Sequence, residues 1–195
     1  MRSTFLALCL FLFAYKATSY AIVDTDGQLV SNQAGAYYLV PDSNDLSGSI
    51  GLATVGNDSF PQTVVLDTLA NGIPVRFTSP ILLPFIRSQM LLHIRFVSSA
   101  TELGWWKVEE EFPIGWTVKV SENSPSFMGP FSIQPAKTGY KFVYYPEISE
   151  EGDNGEEIGL VYTGSHYRLV VKDGDPFIFK IKKATESSAG IKSIT

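Results

Sequence analysis

An all-β chain, folded as a sandwich or a barrel, is what this sequence predicts, and three observations predict it. Short runs of Val, Ile, Leu, Tyr and Phe recur along its length. Glycine, proline, asparagine and aspartate punctuate those runs, as the ends of strands and turns require. No window carries the apolar spacing of an amphipathic helix. Many short strands separated by turn signals pack as a sandwich or a barrel.

Residues 1–19 precede that pattern. Arg2 gives a positive start, residues 5–15 are apolar, and Ala17, Thr18 and Ser19 are small. This is the arrangement of a cleaved secretory signal, and it is too short for a membrane span. Cleavage is expected after Ser19, with Ala21 as the alternative, so that residues 20–195 form one secreted domain. Its size suits one real core. No later stretch is long and apolar enough to cross a bilayer, so no membrane contact is expected after signal removal.

Asp24-Thr25-Asp26-Gly27 is a turn signal. Residues 36–40 form a strand that ends at Pro41, and a Ser/Asn/Asp/Gly loop covers 42–49. Residues 63–66 are rich in β-formers. In 91–96 the alternation places Leu92, Ile94 and Phe96 on one face and Leu91, His93 and Arg95 on the other. Strands follow at 106–108, 117–120 and 131–133, and another at 140–145 stops at Pro146. The clearest hairpin joins 167–171 to 177–181 across Asp173-Gly174-Asp175-Pro176. There Phe177, Phe179 and Ile181 share a face, and Lys180 and Lys182 point away. Residues 147–157 read as a solvated acidic loop, and the polar tail from about 186 as frayed.

One stretch does not fit the strand pattern. Phe77-Thr78-Ser79-Pro80-Ile81-Leu82-Leu83-Pro84-Phe85-Ile86 is almost wholly apolar, yet it holds two prolines. Each proline removes a ladder donor and fixes its own φ, and each pushes the residue before it toward extended backbone. A stiff extended loop presenting Ile81, Leu82 and Leu83 has these properties. Exposed apolar residues on such a loop suggest recognition. An edge strand, or a loop folded onto the core, is the alternative.

Composition excludes several functions. Removing Arg2 and Lys16, and no acid, takes the formal charge from −5 to −7. Such a chain is not expected to bind nucleic acid or an anionic membrane. The one cysteine, Cys9, lies in the signal, so residues 20–195 have no thiol, disulfide or cysteine ligand. Packing alone must hold them. Asn57-Asp58-Ser59 is a glycan sequon, which suits a secretory route.

Nothing points to an enzyme, a metal or a cofactor. His93 sits within a strand and His166 in a turn, and no nucleophile elbow, phosphate loop or metal-ligand spacing appears. Glu109-Glu110-Glu111 and the acids of 147–157 read as solvated faces rather than a glycosidase pair.

Several stretches taken in order resemble the plant Kunitz-type (soybean trypsin inhibitor-like) family. They are Ile22-Val23-Asp24-Thr25-Asp26-Gly27 with Asn32 and Tyr37-Tyr38, then Thr63-Val64-Val65 and Gly72-Ile73-Pro74-Val75-Arg76-Phe77. Trp106-Lys107-Val108 follows with Pro113, Gly115, Val118 and Glu122-Asn123. Tyr140-Lys141-Phe142-Val143, Ile158-Gly159 and Arg168-Leu169-Val170-Val171 complete the set. The resemblance implies a β-trefoil, a six-stranded barrel capped by three hairpins, in a secreted plant protein, extracellular or vacuolar. It places the protease-binding loop at Ser79, Pro80, Ile81, Leu82, Leu83 and Pro84. Leu82 takes the primary specificity position and Leu82–Leu83 is the bond offered to the enzyme. Asn32 props the loop from behind.

Two departures from the family stand out. Positions matching its disulfides are Phe60, Tyr145 and Gly155, which lack sulfur, so this is a cysteine-free variant. Where trypsin-directed members have Arg or Lys, this chain has Leu82. The function implied is inhibition of serine endopeptidases with a hydrophobic pocket, chymotrypsin-, elastase- or subtilisin-like, by a monomer without cofactors. The alternatives are a storage or carbohydrate-binding trefoil, with Trp105 and Trp116 as stacking residues, or inhibition of cysteine proteases or serine carboxypeptidases through another loop.

Overall fold

The computed structural model describes residues 19–56, 58, 62–69, 72–97, 102–123, 129–146 and 155–184. Among them are twelve strands and no helix: β1 (Tyr37–Pro41), β2 (Ser49–Ala53), β3 (Thr63–Asp67), β4 (Val75–Thr78), β5 (His93–Val97), β6 (Glu102–Glu111), β7 (Gly115–Ser121), β8 (Phe131–Pro135), β9 (Tyr140–Tyr144), β10 (Glu156–Tyr162), β11 (Tyr167–Val171) and β12 (Phe179–Lys183).

Six strands close a ring. Tyr37 pairs with Val75 and Phe77 with Ile94, which joins β1 to β4 and β4 to β5. Leu92, just before β5, bridges to Phe131 in β8. Ile133 pairs with Phe142, Tyr140 with Phe179, and Ile181 with Leu39, returning through β9 and β12 to β1. The other six strands form the hairpins β2–β3, β6–β7 and β10–β11. These meet one another through Thr63–Lys119, Thr117–Val170 and Val65–Arg168. A closed barrel with a triangle of hairpins over one end is a β-trefoil, and closure removes the exposed sheet edges of the barrel.

Alternation fills the interior. Leu39, Phe77, Leu92, Ile94, Phe96, Phe131, Ile133 and Phe179 are fully buried. Trp106 packs its ring 5.6 Å from Phe96, 6.1 Å from Phe131 and 5.5 Å from Phe142. Phe142 stacks on Phe179 at 4.3 Å. Each such side chain contributes about 2–3 kcal/mol on burial, and this aromatic packing holds a domain that has no sulfur bridge.

Most expected strands fall where the alternation places them, including the Leu92/Ile94/Phe96 face and the Phe177/Phe179/Ile181 face with Lys180 and Lys182 exposed. The hairpin across 173–176 does not form. Those residues do turn the chain, with Gly174 at φ 80°. However, β11 already has β10 on one side and β3 and β7 on the other. The chain therefore passes from cap to barrel, Phe177 N–H donating to Ile158 O at 2.8 Å, and β12 pairs with β1 and β9 instead. The true hairpin partner of β11 is β10. Glu156 and Glu157, read as acidic loop, open β10, and Glu157 pairs with Lys141 on β9. The loop read over 42–49 ends one residue early, where Ser49 starts β2. Residues 1–18, Asn57, Phe60, 147–154 and the tail beyond 184 lie outside the described residues.

Within the hairpin cap lies a charged cluster, drawn from the β2–β3 connection and from β6, β7 and β11. Arg168, almost fully buried, donates from Nη1 to Glu111 Oε1 at 2.7 Å. Lys119 Nζ sits 3.1 Å from Glu111 Oε2 and 2.9 Å from Asp58 Oδ1. Burial pushes the Asp58 carboxyl up, but hydrogen bonds from Thr63, Lys119 and Gln62 outweigh it and leave Asp58 below its ordinary range. Glu111 is held low in the same way, burial being outweighed by Arg168 and Lys119. Lys119 is raised, its desolvation being overcome by the two carboxylates.

Since β1 runs toward the cap and β4 runs away from it, the β4–β5 connection emerges at the opposite, open end of the barrel. The stretch singled out above lies there.

Candidate functional site

The apolar loop leaves the barrel at Ser79, which is fully buried, and re-enters at Ile86, also fully buried. Between them the side chains turn outward: Ile81 is 48% exposed, Leu82 92% and Leu83 36%. Pro80 and Pro84 bring no donors, and among the described residues no strand pairs with 79–84. The stretch is the exposed loop, not the edge strand. Leu83 N–H donates to Ile81 O at 2.8 Å, closing a three-residue turn with Leu82 at its apex. Ile81 N–H donates to Ser79 Oγ at 3.3 Å.

A loop with so few internal bonds needs support from outside, and the N-terminal segment supplies it. Asn32 is buried behind the loop and uses both ends of its amide. Its Nδ2 donates to Ile81 O at 3.0 Å, Leu83 O at 2.9 Å and, more weakly, Ser79 O at 3.4 Å. Its Oδ1 accepts from Ser79 N–H at 2.8 Å. The backbone fixes Asn32 in turn: its N–H donates to Pro84 O at 3.0 Å, and Ser31 bridges to Phe85. Ser31 N–H donates to the Tyr37 hydroxyl at 2.9 Å, and that ring stacks on Phe77. Beyond the loop, Ile86 N–H donates to Val30 O at 2.8 Å and Ile22 N–H to Ile86 O at 3.0 Å. Tyr20 N–H reaches Ser88 Oγ at 2.9 Å.

Thus the structure brings all six expected loop residues together with Asn32. It adds a residue the sequence reading missed: Gln33, whose Nε2 donates to Ser79 O at 3.2 Å and whose N–H donates to Phe77 O at 2.9 Å. Its left-handed φ of 64° has no signature in a Ser-Asn-Gln-Ala sequence, which is why pattern alone passed it over.

Residues 77–86 carry no titratable side chain. The nearest cation along the chain after the loop is Arg87, over the Phe85 ring at 5.4 Å. A neutral loop of this kind offers a peptide bond and apolar side chains to a partner; the one hydroxyl of residues 79–84, on Ser79, is buried and accepts from Ile81 N–H. The other candidates take packing roles. His93 is buried with its ring 5.8 Å from Trp105, and Trp105 is covered by Arg95 at 4.9 Å. His166 bonds its neighbour Ser165. Trp116 is half-exposed on the cap. Tyr145 and Gly155, the sulfur-free disulfide positions, are neighbours: a Cβ on Gly155 would lie 2.8 Å from the Tyr145 ring.

The barrel and the braced loop define a class, the β-trefoil proteins that display a supported apolar peptide at the open end of the barrel. Residues 22–183 match the model of the legume Kunitz family, described as trypsin and protease inhibitor, and the chain belongs to that family. It is 47% identical over 166 residues to the Kunitz-type serine protease inhibitor BbKI of Bauhinia bauhinioides, covering 85% of this chain and 98% of the relative. It is 45% identical over 165 residues to the Kunitz-type proteinase inhibitor BbCI of the same species, covering 84% and 98%. The solved complex of BbKI with bovine trypsin superposes with a TM-score of 0.77 at 47% identity, covering 86% of this chain and 100% of that chain. The complex of soybean trypsin inhibitor with porcine trypsin gives 0.71 at 28%, covering 85% and 99%. The family and these relatives are protease inhibitors and not enzymes.

Proposed function

We propose that this chain inhibits serine endopeptidases of hydrophobic primary specificity by offering residues 79–84 as a substrate-like loop, with Leu82–Leu83 as the bond presented. The observation that carries this reading is the contrast at the loop apex. The Leu82 side chain is 92% exposed, while the carbonyls before and after it are both bonded to one buried amide.

A protease binds extended peptide, and a free peptide loses conformational entropy on docking. A loop already held in shape avoids most of that cost. Interfaces of this class bury roughly 1,600 Å² in total, enough for tight binding when the anchor fits. If the enzyme cleaves Leu82–Leu83, Asn32 retains both new ends, and the bond re-forms before either end leaves.

Leu82 sets the target class. A neutral branched side chain fits an apolar pocket and forms no ion pair with an acid at a pocket floor. Chymotrypsin-, elastase- and subtilisin-like enzymes are therefore the expected partners, and trypsin is the weaker one. The ring of Pro84, two positions beyond Leu82, narrows that set to enzymes with room on the leaving-group side. We propose further that residues 1–19 direct secretion, that Asn57 is a glycan acceptor, and that the mature chain acts as a monomer.

The test is titration of the mature chain against chymotrypsin, elastase, subtilisin, trypsin and papain, with cruzipain added because the relative BbCI is known as a cruzipain inhibitor. Leu82→Arg is expected to move inhibition toward trypsin. A variant that leaves the selectivity pattern unchanged would sink the loop assignment.

A further inference from the structure

We infer that Gln33 is a second, independent brace of the loop, a positioning residue that holds the side before the scissile bond while Asn32 straddles the bond itself. This rests on the loop assignment proposed above. Ser79 is the fixed point. Its N–H is taken by Asn32 Oδ1, its hydroxyl accepts from Ile81 N–H, and its carbonyl accepts from Gln33 Nε2 at 3.2 Å. The Asn32 bond to that carbonyl is the longest Asn32 makes, at 3.4 Å, so Gln33 supplies the better donor there.

The backbone of Gln33 strengthens the argument. A left-handed φ of 64° is a position where glycine is at ease and a residue with a side chain is uncommon. A conformation of this kind persists where the surrounding structure fixes it and clusters at functional sites. Here the left-handed turn lets both donors of Gln33 reach β4 and its end: N–H to Phe77 O, Nε2 to Ser79 O. Gln33 thus couples the end of β4 to the loop through its own two donors.

The test uses Gln33→Gly, which keeps the favourable backbone and deletes the amide, and Gln33→Glu, which keeps the shape but replaces the donor with a carboxylate facing a carbonyl. Amide hydrogen exchange on the free protein is expected to accelerate roughly five- to tenfold at Ser79 and Ile81 in Gln33→Gly, and more in Gln33→Glu, with Leu83 much less affected. Against the most strongly inhibited protease, the inhibition constant is expected to rise by a similar factor and cleavage at Leu82–Leu83 to quicken, while the melting temperature of Gln33→Gly stays level or rises. Unchanged exchange at Ser79 and Ile81 in both variants would overturn the brace. Altered exchange with an unchanged inhibition constant would leave Gln33 a structural residue only and overturn its positioning role. If the wild type inhibits none of the proteases, the loop assignment fails instead, and exchange alone decides whether the brace exists.

Discussion

Asn32→Asp is the sharpest perturbation of the loop, because it changes one atom and no volume. The acceptor serving Ser79 N–H is kept. The donor serving Ile81 O at 3.0 Å and Leu83 O at 2.9 Å is lost. Two hydrogen bonds of ordinary geometry are worth about 1 kcal/mol each, and a carboxylate oxygen pressed against those carbonyls adds about 1 kcal/mol more. A total of about 3 kcal/mol corresponds to roughly a hundredfold in affinity. Much of it should appear in binding rather than folding, since the free loop relaxes toward solvent and must be re-ordered on docking. The assay is a tight-binding titration against the best target, run beside mass analysis of cleavage at Leu82–Leu83 and a thermal melt. An inhibition constant within threefold of wild type, with no faster cleavage, would refute the idea that the amide holds the loop in its binding shape.

Other outcomes follow from the barrel and the cap. Asp58 and Glu111 titrate below their ordinary values, so the stability they contribute is present above about pH 4 and drains away as acidity takes them through their lowered values. Lys119, raised above 10.5, contributes fully below that value and loses its contribution only as pH climbs through its raised one. A melting curve measured from pH 2 to 8 should fall at the acid end, and Asp58→Asn should flatten that fall. Lys119→Met should cost about 3 kcal/mol in a denaturant titration, because two partly buried carboxylates lose their shared cation. Phe142→Ala, which removes a ring stacked on Phe179 and touching Trp106, should cost about 3–5 kcal/mol in the same measurement. Gly155→Ala should destabilise by about 1–3 kcal/mol, since its φ is 69° and the added carbon would meet Val143 at 2.5 Å.

Local chemistry made the strands legible. Period-two alternation placed Leu92, Ile94 and Phe96 inside, and Asp24 with Gly27 closed the expected turn, Gly27 N–H donating to Asp24 O at 3.0 Å. Pairing was another matter. The Asp173–Gly174 turn looks like a hairpin tip, yet which strand lies beside β11 depends on strands a hundred residues away. β2 escaped notice because its centre is Gly51, and the start of β10 because Glu156 and Glu157 resemble solvated loop until Lys141 is seen opposite. At the site, two prolines in an apolar run were enough to mark the loop. The props were not: Asn32 came from family likeness, and Gln33 depends on a backbone angle that no residue type announces. The cap cluster joins Asp58, Glu111, Lys119 and Arg168 across 57 and 61 positions, a proximity only the fold creates.

Ring closure has a further consequence for a molecule nicked at its apex. A cut between Leu82 and Leu83 divides the polypeptide into a piece bearing β1 to β4 and a piece bearing β5 to β12. The barrel joins those pieces along two seams, β4 with β5 and β1 with β12, and the cap joins them along a third, β3 with β7 and β11. Neither piece can leave without opening all three at once, together with the bonds that tie residues 20–32 to 84–88 beside the cut. With cysteine confined to position 9, no covalent link remains either, so clipped material should elute intact from a sizing column and yet split into two bands in detergent with no thiol added.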